Sequence, residues 1–233
     1  MAGQQSPEEL LLKLTAVRKG FKKPVLNDVN LEIYGKDRIA LLGSNGSGKS
    51  TIVNIIAGML RPDAGHIERL FDPKEDLNVM PQENTLIETL RLAEHIALSA
   101  GIHRIYSTQF VSGLLQKFHL EEQANVRIIN LSGGQKRRLA LLLSVMSSSK
   151  LLILDEPTVG MDLESIDFFW NYMDHVAGSV LTITHDFNQI DRYFNRVLLL
   201  KDGVIVQDEK VTEIHSNNQT IEEWYRKYNN NEG

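Results

Sequence analysis

The sequence contains no cysteine. Disulfide bonds and cysteine nucleophiles are therefore excluded, and an intracellular location is permitted. Positive charge is scarce as well, because 25 lysines and arginines stand against 30 aspartates and glutamates and leave a formal net charge of −5. This balance gives no overall basic field and does not indicate a nucleic-acid partner. The basic run QKRR at Gln135–Arg138 is interpreted as an exposed helix face, too short to change this conclusion.

Long apolar runs are also missing. No stretch approaches the roughly 18 apolar residues of a membrane-spanning helix, so we expect any membrane function to come from a partner. The first residues, MAGQQSPEELL, lack the basic and apolar regions of a secretory signal. Hydrophobic residues make up 42% of the 233 positions and charged residues 24%, which predicts a packed core.

Strand-like and helix-like patterns alternate along the chain. Alternating or continuous apolar residues predict strands at LKLTAVR, VLNDVNLEI, RIALLG, LLILDEPT, SVLTITHD and, as two strands around Asp202-Gly203, RVLLLKDGVIV. Apolar spacings of three and four predict helices at ETLRLAEHIALSA, TQFVSGLLQKFHL, Gly134 to about Val145, Glu164 to His175 and Thr220 to Tyr228. The pattern predicts an α/β fold with a largely parallel sheet in three layers.

A glycine-rich stretch, GSNGSGKST, lies between a predicted strand and an apolar helical segment. It fits G-x-x-x-x-G-K-[ST], in which backbone amides and a helix N-terminus surround phosphate oxygens. The lysine neutralises the outer phosphates, and the serine hydroxyl is a ligand for Mg²⁺. The predicted phosphate-binding residues are Gly43, Ser44, Asn45, Gly46, Ser47, Gly48, Lys49, Ser50 and Thr51. A glycine-rich turn that only caps a helix is the alternative.

Two acids follow the apolar strand of LLILDEPT. Ligands of open parallel sheets bind at the carboxyl ends of strands, which favours Asp155 in the outer shell of Mg²⁺. Adjacent strand residues point to opposite sides, so the two acids are expected to have different roles. Glu156 has the chemistry to orient and deprotonate an attacking water. A turn whose acids are merely solvated is the alternative.

A second glycine-rich helix start, LSGGQKRRLALLL, begins at Leu131. Ser132 and Gln135 fit the capping box S-x-x-Q, which satisfies the first amides of a helix. The box does not explain Gly133 and Gly134, since glycine in a helix costs roughly 1 kcal/mol relative to alanine. Glycine is used where a backbone or ligand approaches closely, and a helix N-terminus suits a phosphate. A well-capped helix without a ligand is the alternative.

Together these motifs resemble the ATP-binding subunits of ABC transporters, over roughly Leu12 to Asp208. In that resemblance Gly43–Thr51 is the Walker A motif, Leu131–Gln135 the family signature and Leu151–Asp155 the Walker B motif. The remaining matches are the Q-loop glutamine at Gln82, the catalytic glutamate at Glu156, the D-loop aspartate at Asp162 and the switch histidine at His185. The family's adenine-stacking aromatic corresponds to Phe21, for which a core aromatic at a strand end is the alternative. For His185, a strand-end histidine without a ligand is the alternative.

The resemblance also implies the roles of these residues. ATP and Mg²⁺ are the implied cofactors, and the implied metal-binding residues are Ser50, Gln82 and Asp155. The implied catalytic residues are Lys49, Gln82, Glu156 and His185. Two such chains would form a head-to-tail dimer, in which Ser132, Gly133, Gly134 and Gln135, with Asp162, contribute to nucleotide sites completed by the partner.

The implied fold is the P-loop NTPase (RecA-like) core, mainly parallel, with an N-terminal antiparallel β region and an inserted α-helical subdomain. Residues 1–233 would form one ABC nucleotide-binding domain, with 1–82 and about 146–233 as the ATP-binding core and about 83–145 as the helical subdomain. A separate transmembrane permease is the implied partner, at the cytoplasmic face of the membrane, and no nucleic acid is expected.

The direction of transport and the class of ATPase leave alternatives open. LSGGQKRRLALLL with TVGMD resembles bacterial export subunits of the ABC-2 type more than import subunits. An import subunit is the alternative. Further alternatives are an ABC-type ATPase of DNA repair or translation and an unrelated P-loop switch protein. A repair protein would carry a long coiled coil, but no sustained heptads separate Gln82 from the signature.

Overall fold

The structure is a computed structural model that describes residues 9–82, 86–105 and 107–229, without the side chains of residues 174–177. Its strands are β1 (Leu10–Gly20), β2 (Pro24–Tyr34), β3 (Arg38–Leu42), β4 (Ala64–Arg69), β5 (Leu77–Met80), β6 (Ser149–Asp155), β7 (Ala177–Ile183), β8 (Arg196–Lys201) and β9 (Val204–Lys210). Its helices are α1 (Lys49–Ile56), α2 (Leu92–Ile102), α3 (Thr108–Lys117), α4 (Gly133–Ser144), α5 (Leu163–Val176), α6 (Phe187–Tyr193), α7 (Val211–Ser216) and α8 (Ile221–Asn229). None of the helices in the described ranges has the length and hydropathy to cross a bilayer.

The chain forms two compact units. The first contains Met1–Leu77, Lys150–Ile153 and Gly178–Gly233, and the second contains Asn78–Ser149 and Leu154–Ala177. The predicted helical segment, about residues 83–145, lies within the second unit, which also holds α5. The assignment of residues 1–233 to one nucleotide-binding domain stays a prediction.

An antiparallel sheet forms the N-terminal part of the first unit. Its strand order is β2-β1-β4, and β1 pairs antiparallel with both neighbours. One face of each strand packs into a core, which explains why Leu12 and Leu14 of β1 and Leu31 and Ile33 of β2 are buried. The predicted N-terminal antiparallel region is therefore present.

The second sheet of the first unit is mainly parallel, with β6, β7, β3, β8 and β9 side by side in that order. The central strand β3 pairs in parallel with β7 and β8, so that Leu41 lies opposite Ile183 and Leu198. Residues 39–42 of β3 are all buried, as expected for a strand inside a parallel sheet. The sheet confirms the predicted α/β fold class. Its last pair, β8 and β9, is the predicted antiparallel hairpin.

Helices α2 to α5 make up most of the second unit. Helix α4 buries Leu139, Leu141 and Leu142, of which Leu139 and Leu142 stand three residues apart on one side of the helix. The ring of Phe118, which follows α3, meets the rings of Phe168 and Tyr172 of α5 edge-on, with centroids 5.6 and 5.7 Å apart. These contacts give the second unit an apolar core of its own.

The C-terminal helix α8 packs back on the first unit, as its aromatic residues predict. Trp224 is 1% exposed. The ring of Tyr225 lies 5.3 Å from the ring of Phe187, centroid to centroid. The exposed face of α8 carries charged residues, which include a pair between Arg226 and Glu222.

A half-buried arginine of the first unit supplies a test of the fold. Arg196 donates to both carboxylate oxygens of Asp208 at 2.7 and 2.6 Å, and to the carboxylate of the buried Asp37 at 2.9 Å. We expect Arg196→Met to lower the free energy of unfolding by about 3 kcal/mol, because it leaves a buried carboxylate without its cation. Urea unfolding of parent and variant measures the difference.

The matched control is Arg226→Met, which breaks the exposed pair with Glu222 on α8. Exposed pairs contribute little to stability, so this variant should unfold at nearly the parent's urea concentration. Equal and small losses of unfolding free energy in the two variants would show that the pairing of Asp37 with Arg196 contributes little to stability.

Candidate functional site

The P-loop, residues 43–51, follows β3 and enters α1 in the first unit. Two of its glycines are required by geometry. A Cβ on Gly43 would collide with the carbonyl oxygen of Leu200, and one on Gly48 would lie 2.6 Å from a methyl carbon of Leu26. Gly48 also has a φ of 108°, in the region that favours glycine. The loop is thus pressed against the body of the unit.

Lys49 is the first residue of α1 and is only 9% exposed. Its ammonium group donates to the carbonyl oxygens of Gly43 and Ser44 at 2.6 and 3.1 Å. The side chain therefore curls across the loop that is predicted to hold phosphate. Gly48, at the N-cap, has no side chain to cap the first turn of α1. This leaves a helix N-terminus suited to an anion.

The other P-loop residues divide by exposure. Ser44, Asn45, Gly46 and Ser50 are exposed, and Thr51 is half-buried. Ser47 is buried, and its hydroxyl oxygen has no hydrogen-bond partner among the described residues. A buried hydroxyl costs free energy unless it finds a partner, which fits a loop that binds a polar group.

His185 lies at the same sheet edge as the start of the P-loop. β3 and β7 are parallel, with Leu41 opposite Ile183, so Gly43 and His185 both stand two residues beyond that pair. His185 is exposed. The structure thus brings the predicted switch histidine to the edge where the P-loop begins, and its phosphate contact stays a prediction.

Phe21 stands in the turn between β1 and β2, and its side chain is 66% exposed. The ammonium of Lys19 lies 5.6 Å from the centre of the ring. The alternative of a core aromatic is therefore wrong. An exposed ring is available to stack on a base, and stacking on adenine stays a prediction.

The family signature, Leu131–Gln135, begins α4 in the second unit and has the predicted capping box. The Ser132 hydroxyl accepts from the amide of Gln135 at 3.2 Å, and the Gln135 side chain accepts from the amide of Ser132 at 2.9 Å. Both residues lie at the surface or partly exposed. The capping box involves Ser132 and Gln135 and leaves Gly133 and Gly134 without a role.

Neither of these glycines is needed by the described part of the chain. A Cβ on Gly133 would meet nothing within 4 Å, and one on Gly134 would meet only the carbonyl oxygen of Gly160, at an ordinary 3.7 Å. Neither has a positive φ. Among the described residues, neither backbone conformation nor crowding therefore requires glycine at these two positions.

Asp162 caps α5. Its carboxylate accepts from the amide and the hydroxyl of Ser165 at 2.8 and 3.0 Å. These hydrogen bonds lower the pKa of Asp162, because they stabilise its charged form. The predicted D-loop aspartate thus holds the turn that leads into α5, and its nucleotide contact stays a prediction.

Asp155 ends β6, and Glu156 follows in a left-handed backbone conformation with a φ of 48°. Both are half-buried. The prediction that the two acids alternate along a strand does not hold for Glu156, because its backbone is no longer extended. Their separate roles stay predictions.

Arg137 is the residue that sequence reasoning missed. The run QKRR was interpreted as an exposed face, but Arg137 is 6% exposed. It donates to the carbonyl oxygens of Gln82 at 3.1 Å, Pro157 at 2.8 Å and Asp155 at 2.8 Å, and to that of Glu156. Burial lowers its pKa, while the charges of Asp155 and Glu156 act in the opposite direction. Helical spacing could have indicated this burial, since Arg137 precedes the buried Leu141 by four residues and therefore lies on the same face of α4.

The residues predicted to hold Mg²⁺ offer oxygen donors. Ser50 is exposed in the first turn of α1, Asp155 is half-buried and Gln82 is exposed after β5. No three His, Cys, Asp or Glu residues in the described ranges gather into a metal cage. The donor set fits Mg²⁺, which prefers oxygen and is commonly held through substrate phosphates and water. Mg²⁺ binding stays a prediction.

Residues 26–159, more than half of the chain, match the sequence model of a family described as "ABC transporter". The chain is 31% identical over 216 residues to the Nod factor export ATP-binding protein I of Bradyrhizobium diazoefficiens, covering 86% of this chain and 71% of that protein. It is 32% identical over 197 residues to the aliphatic sulfonates import ATP-binding protein SsuB 1 of Paracoccus denitrificans, covering 83% and 80%.

A third relative is much longer. The chain is 35% identical over 237 residues to ABC transporter G family member 20 of Dictyostelium discoideum, which covers 94% of this chain and 32% of that protein. The chain thus spans about a third of the length of that relative.

Two solved structures share the fold. One is the ATP-binding subunit of an ABC transporter, with a TM-score of 0.83, 26% identity and coverage of 93% of this chain and 98% of that one. The other is a dimeric post-hydrolysis state of the ATP-binding cassette MJ0796 bound to ADP and Pi, with a TM-score of 0.76, 25% identity and coverage of 86% and 99%. The predicted fold class, a P-loop α/β core, is confirmed.

Proposed function

Since the chain belongs to the ABC transporter family and contains its ATP-binding domain, we propose that it binds and hydrolyses ATP to drive transport through a membrane permease on a separate polypeptide. We further propose that it acts as a head-to-tail dimer with a second ATP-binding subunit, which is either a copy of this chain or a close paralogue. The dimer would sit at the cytoplasmic face of the membrane.

The main observation in favour of the proposed dimer concerns the glycines at the start of α4. Gly133 and Gly134 meet no crowding within the described chain, yet two glycines begin α4. A ligand that approaches this helix start from a partner would explain them, because phosphate needs close access to backbone amides. Each ATP would then lie between the P-loop of one chain and the signature of the other. The ATP-binding cassette MJ0796, which shares the fold, was solved as a dimer, and this supports a dimer here as well.

The residues of this chain would divide the work of phosphoryl transfer. Lys49, the P-loop amides and the Ser132 hydroxyl of the partner would stabilise charge on the phosphates, and His185 would contact the terminal phosphate. Glu156 would accept a proton from the attacking water. Mg²⁺, when bound, neutralises phosphate charge, and Ser50, Gln82 and Asp155 would hold it.

The proposed direction is export. LSGGQKRRLALLL with TVGMD resembles export subunits, and the rhizobial relative is named as an export protein. The relative from Paracoccus denitrificans is named as an import protein, so import is the competing direction. Transport assays in vesicles that contain the permease distinguish the two, because an exporter empties the compartment that holds this chain.

The test of the ATPase is the dependence of hydrolysis on protein concentration. We expect the rate of phosphate release per chain to rise with chain concentration, because a site shared by two chains exists only in the dimer. Lys49→Ala should remove ATP binding and hydrolysis together. A per-chain rate independent of concentration in a monomeric protein would contradict the shared site, and failure of the parent to hydrolyse ATP at any concentration, alone or with its permease, would contradict the ATPase.

A further inference from the structure

The guanidinium group of Arg137 lies at the junction of three segments of the second unit. It comes from the second turn of α4, five residues after Ser132. Its nitrogen atoms donate to the backbone of Gln82, to the end of β6 at Asp155, and to the turn at Glu156 and Pro157. A planar guanidinium presents its N–H donors in one fixed geometry and can serve several carbonyl oxygens at once, whereas an ammonium group has three rotatable donors.

The backbone of Glu156 needs support of this kind. A non-glycine residue with a φ of 48° is in a sparsely populated conformation that persists only where its surroundings hold it. Proline follows at position 157, and the residue before a proline prefers an extended backbone. The carbonyl oxygens of Asp155, Glu156 and Pro157, on either side of the strained bonds, all accept from Arg137.

We propose that Arg137 is a positioning residue, which holds the backbone of Glu156 so that its carboxylate faces the attacking water and ties that turn to the backbone of Gln82. This inference rests on the proposed ATPase activity. Arg137 itself does not touch substrate. It acts through Glu156, because the direction of a side chain follows from the backbone that carries it.

A structural role alone has to be separated from positioning. Arg69 of the first unit provides the comparison, because it is a half-buried arginine whose guanidinium donates to backbone carbonyl oxygens at the end of α1. The partners are Ile55 at 2.7 Å and Ile56 at 3.0 Å. Burial lowers the pKa of Arg69, as it does that of Arg137. The two arginines thus share the type of partner. They differ in the segment that they hold and in exposure, since Arg137 is buried and Arg69 half-buried.

The experiment compares Arg137→Met, Arg137→Lys and Arg69→Met by steady-state ATP hydrolysis and by equilibrium ATP titration. We expect Arg137→Met to lower kcat on the order of 10- to 100-fold, as a small misplacement of a reacting group does. KM and ATP affinity should stay within about twofold, because no contact to nucleotide is lost. Arg137→Lys should fall between Met and the parent. Arg69→Met should unfold at lower urea concentration with kcat within about threefold of the parent.

A second arm uses Glu156→Gln as background and measures single-turnover hydrolysis with excess protein. If Arg137 acts through Glu156, adding Arg137→Met to Glu156→Gln should change the residual rate by less than about threefold, since the group that it positions is already absent. A further loss equal to that in the parent background would overturn the proposal. A folded Arg137→Met protein with the parental kcat would also overturn the proposal. If the methionine variant does not fold, a parental kcat in Arg137→Lys would overturn it. An inactive parent would instead refute the ATPase itself.

Discussion

Replacing Glu156 with glutamine is expected to lower kcat for ATP hydrolysis on the order of 10³-fold. Glutamine keeps the size of the side chain and removes the carboxylate that would take a proton from water. Affinity for ATP should stay within about twofold, because the phosphates are assigned to the P-loop and not to Glu156. Phosphate release at saturating ATP and equilibrium titration with ATP measure the two quantities separately.

The matched control is Glu121→Gln, which makes the same chemical change at an exposed glutamate of the second unit. It should hydrolyse ATP at the parental rate. With ATP and Mg²⁺ present, the Glu156→Gln protein should also elute as a dimer in size-exclusion chromatography, because the nucleotide that joins the chains is no longer consumed. A parental hydrolysis rate in Glu156→Gln would refute the assignment of this residue as the base.

The P-loop could be predicted from the sequence because its geometry is local. Strand, loop and helix follow one another within 19 residues, from Arg38 to Ile56. The capping box of Ser132 and Gln135 is local in the same sense, since both hydrogen bonds span three residues. Signals of this length are complete in the sequence itself.

The role of Arg137 is not local, and the sequence did not reveal it. Its carbonyl partners lie between 18 and 55 residues away along the chain. Judged by residue type alone, a basic run at the start of a helix predicts side chains that are exposed to solvent. The left-handed backbone of Glu156 was missed for the same reason, because the rule for residues before proline favours the opposite conformation. Long-range contacts override local preference at this turn.

Two strands escaped the sequence analysis, β4 because it is mostly polar and β5 because it is short. β4, AGHIER, has one large apolar side chain, the half-buried Ile67, which pairs with Leu14 of β1. β5, LNVM, is four residues long. A strand this polar or this short depends on the neighbouring strand that supplies its hydrogen bonds, and hydrophobic periodicity does not reveal that neighbour.

Replacing Ser132 with arginine is expected to reduce ATP hydrolysis on the order of 100-fold, since a donor for transition-state charge is lost and bulk is added at an exposed helix start. ATP affinity of the single chain should not change, because the P-loop is intact. Hydrolysis at high protein concentration and ATP titration of dilute chain measure these two effects. Loss of ATP affinity in the dilute chain would place Ser132 on the nucleotide of its own chain.

The substitution also removes a helix cap, which contributes about 1 kcal/mol. Ser107→Arg controls for that loss, since Ser107 is the exposed N-cap of α3 in the same unit, and its hydroxyl accepts from the amide of Phe110 at 3.1 Å. Both variants should lose similar stability in urea. Only Ser132→Arg should have a reduced rate of ATP hydrolysis. Equal reductions in both variants would mean that lost stability causes the effect.

Mixing two inactive variants tests the arrangement of the dimer directly. Ser132→Arg chains keep a functional P-loop, and Lys49→Ala chains keep a functional signature. In a head-to-tail dimer, each mixed pair contains one site with both halves intact, although neither variant forms such a site alone. Half of the dimers in an equal mixture are mixed pairs and half of their sites are intact, so about a quarter of the parental rate should return. If each chain instead used the P-loop and the signature on one and the same nucleotide, no mixture would recover activity, because every chain would still carry its own defect.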